Sequence, residues 1–301
     1  MAKELRLARN RVPFSTRLPA LVRLPLRNPG LLLGCAAALA VVTALTSGDI
    51  VAKLFGIGTW MLRFAGMALF WSAFFRVLQA VQKDGTRDDR VEAFSFVAFS
   101  GVFDDLSFGV RGTLVMLPFL FLANVGITYV IGTDGGEHAL PFWLASSVIW
   151  TPLETDCLVQ LPARLSAASP LMQVLAVLDV ALTPMLIIGC AQGGGLWAGL
   201  NPWAATLRAL RVGKDYALAG AFSIGLATLA LTLAFALQAP ASRVPFLGPG
   251  LLATFVVYLW LVAAAALGLV GYVHGDRLGT VAASETTDFA LPGVVPRGKR
   301  A

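Results

Sequence analysis

Charge is scarce in this sequence. Only 13% of its 301 residues are Asp, Glu, Lys or Arg, against roughly 25% in a soluble folded domain. Hydrophobic residues make up 57%, which is more than such a domain carries. These two shares exclude a soluble globular chain and a disordered one alike.

The reactive residue types are scarce as well. There are two histidines, His138 and His274, and three cysteines, Cys35, Cys157 and Cys190. Cys35 and Cys190 fall in apolar stretches and Cys157 stands alone between them, so no exterior pair is at hand for an intramolecular disulfide. His138, Glu154, Asp156 and Cys157, with Asp134 and Glu137 nearby, are zinc-ligating types. Their spacing matches no ligand signature, and a hydrated loop is the simpler reading. No Ser or Thr has a readable His and acid partner, which leaves nucleophilic catalysis without support. The Gly193-Gly194-Gly195 run is not a phosphate loop, because no strand precedes it and no G-x-x-x-x-G-K-[ST] pattern follows. No cofactor, no metal and no catalytic residue is expected.

What the sequence does hold is long apolar runs flanked by basic residues. A membrane-spanning helix needs about 20 apolar residues. Six stretches serve as spans: about 30–46, 57–81, 113–131, 171–191, 216–237 and 250–273. The expected fold is all-α, a polytopic transmembrane helical bundle of six spans with amphipathic interfacial helices. Residues 1–28 form a basic arm, 29–273 the bundle and 274–301 a polar tail.

Threaded this way, 19 of the 23 Lys and Arg residues lie on one side, and only Lys53, Arg63, Arg164 and Arg243 lie elsewhere. Positive charge beside spans is retained in the cytoplasm, so both ends are expected inside. If 142–161 were a seventh span, Arg208, Arg211, Lys214 and the basic tail would all move outside. That segment therefore reads as re-entrant or surface-lying. The net charge of +6 is explained by anionic headgroups rather than by nucleic acid, since no basic domain free of spans remains.

The arm carries Lys3, Arg6, Arg9, Arg11, Arg17, Arg23 and Arg27 against Glu4 alone, and Pro13, Pro19, Pro25 and Pro29 interrupt it. It is expected to rest on anionic lipid, with Leu18, Leu21, Val22, Leu24 and Leu26 dipping into the interface. The first span after it is short, so a cleaved signal sequence is the competing reading of this start. Asp49 to Gly56 reads as a short exterior loop, and residues 91–110, with Asp104 and Asp105, as a further interfacial segment.

The clearest local chemistry lies in 192–215. Asn201-Pro202 reads as an N-cap followed by Pro at the first helical position, and Gly213 as the stop. Between them Trp203, Leu207 and Leu210 share one face while Arg208 and Arg211 point elsewhere, an amphipathic elbow helix. Within the spans, Asp179 is the sharpest candidate, because a carboxylate in an apolar helix faces a partner or a wet cavity. At about 1.5 Å per residue it lies roughly 12–13 Å below the outer end of its span, and Arg63 roughly 9–10 Å below the outer end of its own. Asp179 and Arg63 are thus a candidate intramembrane ion pair, structural in one reading and part of a transport or proton path in another. His274, beside the inner interface, reads as a headgroup contact.

The order Leu200-Asn201-Pro202, Arg208, Arg211-Val212-Gly213 and Tyr216 resembles a pattern in uncharacterised bacterial multi-pass membrane proteins. The closing helix, with Tyr258, Ala266-Leu267-Gly268, Tyr272 and Gly275-Asp276-Arg277-Leu278-Gly279, is similar to how such proteins end. So is an early Arg27-Asn28-Pro29 entry paired with Gln79-Ala80-Val81. The resemblance implies a fold of about six helices in a bacterial inner membrane and assigns no catalytic residue. Three function classes stay compatible. The first is a non-enzymatic scaffold, assembly or regulatory component working through lipid, a membrane-protein partner or its own copy, with Ala219, Ser223 and Ala227 spaced for close helix contact. The others are a transporter or permease subunit using Asp179, and a membrane enzyme acting on lipid or envelope precursors.

Overall fold

The computed structural model describes residues 14–46, 49–85, 170–191, 201–244 and 247–278. Among them run seven helices: α1 (Phe14–Arg27), α2 (Pro29–Thr46), α3 (Asp49–Asp84), α4 (Pro170–Ala191), α5 (Pro202–Val212), α6 (Lys214–Ser242) and α7 (Leu247–Leu278). Three stretches are long and apolar enough to cross a membrane: Met61–Lys83, Lys214–Ala241 and Leu247–Gly275. A fourth crossing exists if the bent pair α1 and α2 counts as one broken span. The expected span at 113–131, the segments at 91–110 and 142–161, the Gly193–Gly195 run and the tail after 278 lie outside the described residues.

The basic arm differs from its reading as an interfacial strip broken by proline. Residues 14–27 are helical even though Pro19 and Pro25 lie inside. Each interior proline removes one helical hydrogen bond and crowds the preceding turn, at about 3 kcal/mol. Tertiary burial offsets this. Leu21 and Leu24 are buried in the core beside α7, whereas Val22 and Leu26 on the opposite side stay exposed.

Pro29 then ends α1. It lacks an N–H and disfavours helical geometry at the residue before it, yet it suits the first position of a new helix. Asn28 bridges the break. Its backbone N–H donates to Pro25 O at 3.2 Å, its side-chain Nδ2 donates to Leu24 O at 2.8 Å, and its own carbonyl accepts from Leu32 N at 3.2 Å. The two helices meet at a bend of 68°. Asn28 is buried, and these bonds satisfy backbone carbonyls that would otherwise be stranded at a helix end.

A second difference concerns the expected exterior loop at Asp49–Gly56. It is helical, and α3 starts at Asp49.

α7 is the hub. It packs against α1, α2, α3, α4, α5 and α6, and 78% of its apolar stretch is buried against 28% for α6. On one side an aromatic layer from α3 meets it. Phe70, Trp71 and Phe74 stand edge-on to Trp260, with ring centroids 5.9, 6.2 and 6.3 Å away, a geometry that suits the ring quadrupoles. On another side, buried Ala219, Ser223, Ala230 and Ala234 of α6 line a seam against α7, whose Ala263–Ala266 run is also buried. Small residues let helix backbones approach in lipid, where apolar burial between helices gives no drive. Ser223 Oγ adds a bond to Ala263 O at 3.4 Å. Of the spacing noted in sequence, Ala219 and Ser223 are buried in this seam and Ala227 is half-buried.

Candidate functional site: a polar junction at one end of the bundle

The end of α3, the start of α6 and the end of α7 meet at one end of the bundle. α7 approaches α3 closely at Gly268, where a Cβ would stand 2.5 Å from Leu78 O and 2.9 Å from Val81 Cβ. One turn further, Gly271 lies against the Gln82 side chain. α3 finishes at Gly85, with φ of 68°, a left-handed turn that glycine adopts without strain. The ring of Tyr272 lies over Gly85 where a Cβ would meet it at 2.8 Å. From α1, the Arg17 guanidinium sits 5.8 Å from the Tyr272 ring centroid, within range of a cation–π attraction.

Two residues beyond Tyr272 the helical path of α7 is interrupted at His274, with φ −111° and ψ 18°. His274 Nε2 lies 2.9 Å from Asp215 Oδ2 in the first turn of α6. An ionised carboxylate only accepts, so the imidazole Nε2–H donates. The His274 side chain is 9% exposed and that of Asp215 23%, which shields the bond from water and makes the loss of either partner costly. The next residue, Tyr216, donates its hydroxyl to Ala181 O of α4. α6 is therefore fastened at its first turn to two other helices.

α5 leads into this junction. Asn201 is extended, with φ −78° and ψ 107°, and its Oδ1 accepts from Trp203 N at 3.0 Å and Ala204 N at 3.2 Å. That satisfies two of the donors every helix start leaves open. Gly213, with φ of 70°, turns the chain from α5 into α6. Ala205 and Val212 of α5 are buried, whereas Trp203 and Leu210 are 71% and 73% exposed. Arg211 and Lys214 are exposed and Arg208 is half-buried.

The candidates named from sequence divide accordingly. Asn201, Pro202, Trp203, Arg208 and Arg211 fall on α5 and its cap. Arg63 is half-buried on α3. Asp179 belongs to α4, but its side chain lies outside the described residues, and so does its pairing with Arg63. His138, Glu154, Asp156, Cys157 and the Asp104-Asp105 pair also lie outside them. Among the described residues no group of three or more His, Cys, Asp and Glu could hold a metal ion. The pairing of His274 with Asp215 was missed, and the expected headgroup contact gives way to it. The residues are 59 positions apart. An acid in the first turn of α6 was readable as a dipole complement, while its use as a partner needed the tertiary contact.

Compared with protein-family models, curated proteins and solved structures, the chain gives no match. What the described residues define is an all-helical assembly with three helices fit to cross a membrane.

Proposed function

We propose that this chain is a multi-pass integral membrane protein of a bacterial inner membrane, of the about six-helix kind it resembles, working as a non-enzymatic scaffold, assembly or regulatory component. Six spans with both ends in the cytoplasm remain the topology that best fits the distribution of basic residues. The observation that supports the non-enzymatic reading is the enclosure of α7. Its alanine run and Trp260 are packed by aromatic and small side chains from α3 and α6. Dry packing of this kind suits a fixed framework, since a transport path needs polar, water-lined surfaces near mid-membrane.

A transporter or permease subunit is the second reading, and Asp179 is the residue that favours it, being an acid in an apolar helix that also contains Pro184. Proteoliposomes holding the purified chain and an internal pH dye separate the two. Under an imposed pH gradient we expect proton leak equal to that of empty vesicles, both for the unaltered chain and for Asp179→Asn. Proton entry that Asp179→Asn abolishes would overturn the scaffold reading.

A further inference from the structure

α5 is apolar on two opposite sides. At 3.6 residues per turn, Ala205 and Val212 lie about 180° around the helix from Trp203, Leu207 and Leu210. The first side is buried against the bundle, where α5 packs on α4 and α7. The second side faces outward, with Leu207 38% exposed beside the more exposed Trp203 and Leu210. Exposure of a Trp and two Leu on one face is unfavourable in water and favourable where a bilayer's glycerol region covers it. Trp also prefers that depth, where its apolar body and polar N–H are both accommodated.

The charges beside that face are of one sign. Arg208, Arg211 and Lys214 follow within seven positions: exposed Arg211 borders the outward side, half-buried Arg208 lies nearer the buried one, and exposed Lys214 follows the Gly213 turn. Asp215, the acid that follows Lys214 in the chain, is engaged by His274 at 2.9 Å. The result is a basic border along an apolar strip, the arrangement that partitions into an anionic leaflet. A second copy of this chain would bring the same three cations against themselves, which disfavours self-association through this face.

We propose that α5 is a docking surface for anionic phospholipid of the leaflet it faces. Trp203, Leu207 and Leu210 seat among the glycerol and upper acyl groups, and Arg208, Arg211 and Lys214 meet the phosphates. The Asn201 cap holds the helix start, and the Asp215–His274 bond fixes its exit to α7. Lipid bound here therefore bears directly on how α6 is held against α7. The proposal rests on the membrane reading above but not on the choice between scaffold and transporter.

The test uses the full chain in dodecyl maltoside micelles, with phosphatidylglycerol or phosphatidylcholine added and the melting temperature followed. Each cation near an anionic surface contributes about fivefold in affinity. Arg208→Gln/Arg211→Gln/Lys214→Gln should therefore raise the phosphatidylglycerol concentration for half-maximal stabilisation at least about tenfold. The response to phosphatidylcholine should not change. Arg243→Gln, exposed beyond the other end of α6, should keep the response of the unaltered chain. In nanodiscs of brominated phosphatidylglycerol, Trp203→Phe should remove part of the quenchable fluorescence. The proposal is overturned by an unchanged phosphatidylglycerol response in the triple variant, or by inorganic phosphate stabilising as well as the lipid does. It is equally overturned if Leu210→Arg turns a dimer into a monomer while the lipid response stays intact, because the face would then belong to a second copy.

Discussion

His274 and Asp215 carry the one described side-chain pair that joins the start of α6 to the end of α7. Removing Asp215 leaves a buried imidazole N–H without its acceptor, at about 1–3 kcal/mol. Asp215→Ala and His274→Ala should each lower stability against denaturant in detergent, and the double variant should cost less than the two together. The expected coupling is about 0.5–3 kcal/mol. Strictly additive losses would show that the contact contributes nothing. This residue pair also marks where sequence reasoning stopped. His274 stands out in the sequence beside an apolar run, while Asp215 is not singled out there. Nothing in a chain order 59 positions long says that two such residues meet. Asn201 was legible for the opposite reason, because capping acts within three residues and so leaves its pattern in consecutive letters.

Helix by helix, what could be read was apolar length. The stretches at 57–81, 171–191, 216–237 and 250–273 fall inside α3, α4, α6 and α7. The nature of α1 could not be read, since it depends on neighbours. α1 survives two prolines because Leu21 and Leu24 have a core to enter, and hydropathy carries no information about that core. Close approach between helices leaves a subtler signal in glycine. Gly268 touches the α3 backbone where a Cβ would lie 2.5 Å from Leu78 O, whereas a Cβ on Gly225 of α6 meets nothing within 4 Å. Gly268→Ala must push α7 off α3 and should destabilise by about 1–3 kcal/mol, as overpacking does. Gly225→Ala should be neutral or stabilise by up to about 1 kcal/mol through helix propensity. Thermal unfolding of both variants in the same detergent decides the matter; equal melting temperatures would mean that the α3–α7 contact is not tight.

For the whole molecule, the ends that meet at the polar junction are those that the proposed topology puts on one side of the membrane. Lys83 closes α3 and Lys214 opens α6, while Arg243 follows α6 at its other end. From Lys214 to Ser242 the helix rises about 42 Å, enough to cross a hydrocarbon core of about 30 Å. In a background without cysteine, Lys83→Cys and Lys214→Cys should be labelled from the same face of sealed vesicles, and Arg243→Cys from the other. Labelling of all three from one face would refute α6 as a crossing helix. Orientation is read as a sum over many scattered basic residues, so no single one decides it, and this labelling is its test.

The position of the hub in the chain has a bearing on how the molecule is made. α7 starts at residue 247, after every helix that packs on it. At about 5–20 residues per second, a ribosome needs roughly ten to fifty seconds to reach it. During that interval α1 has no buried place for Leu21 and Leu24, and the seam of α6 has no opposite face. The earlier helices must therefore wait in lipid as a loose set. Insertion of α7 is the event that converts the described segments into one folded body, so their folding is expected to run from the last described helix backward.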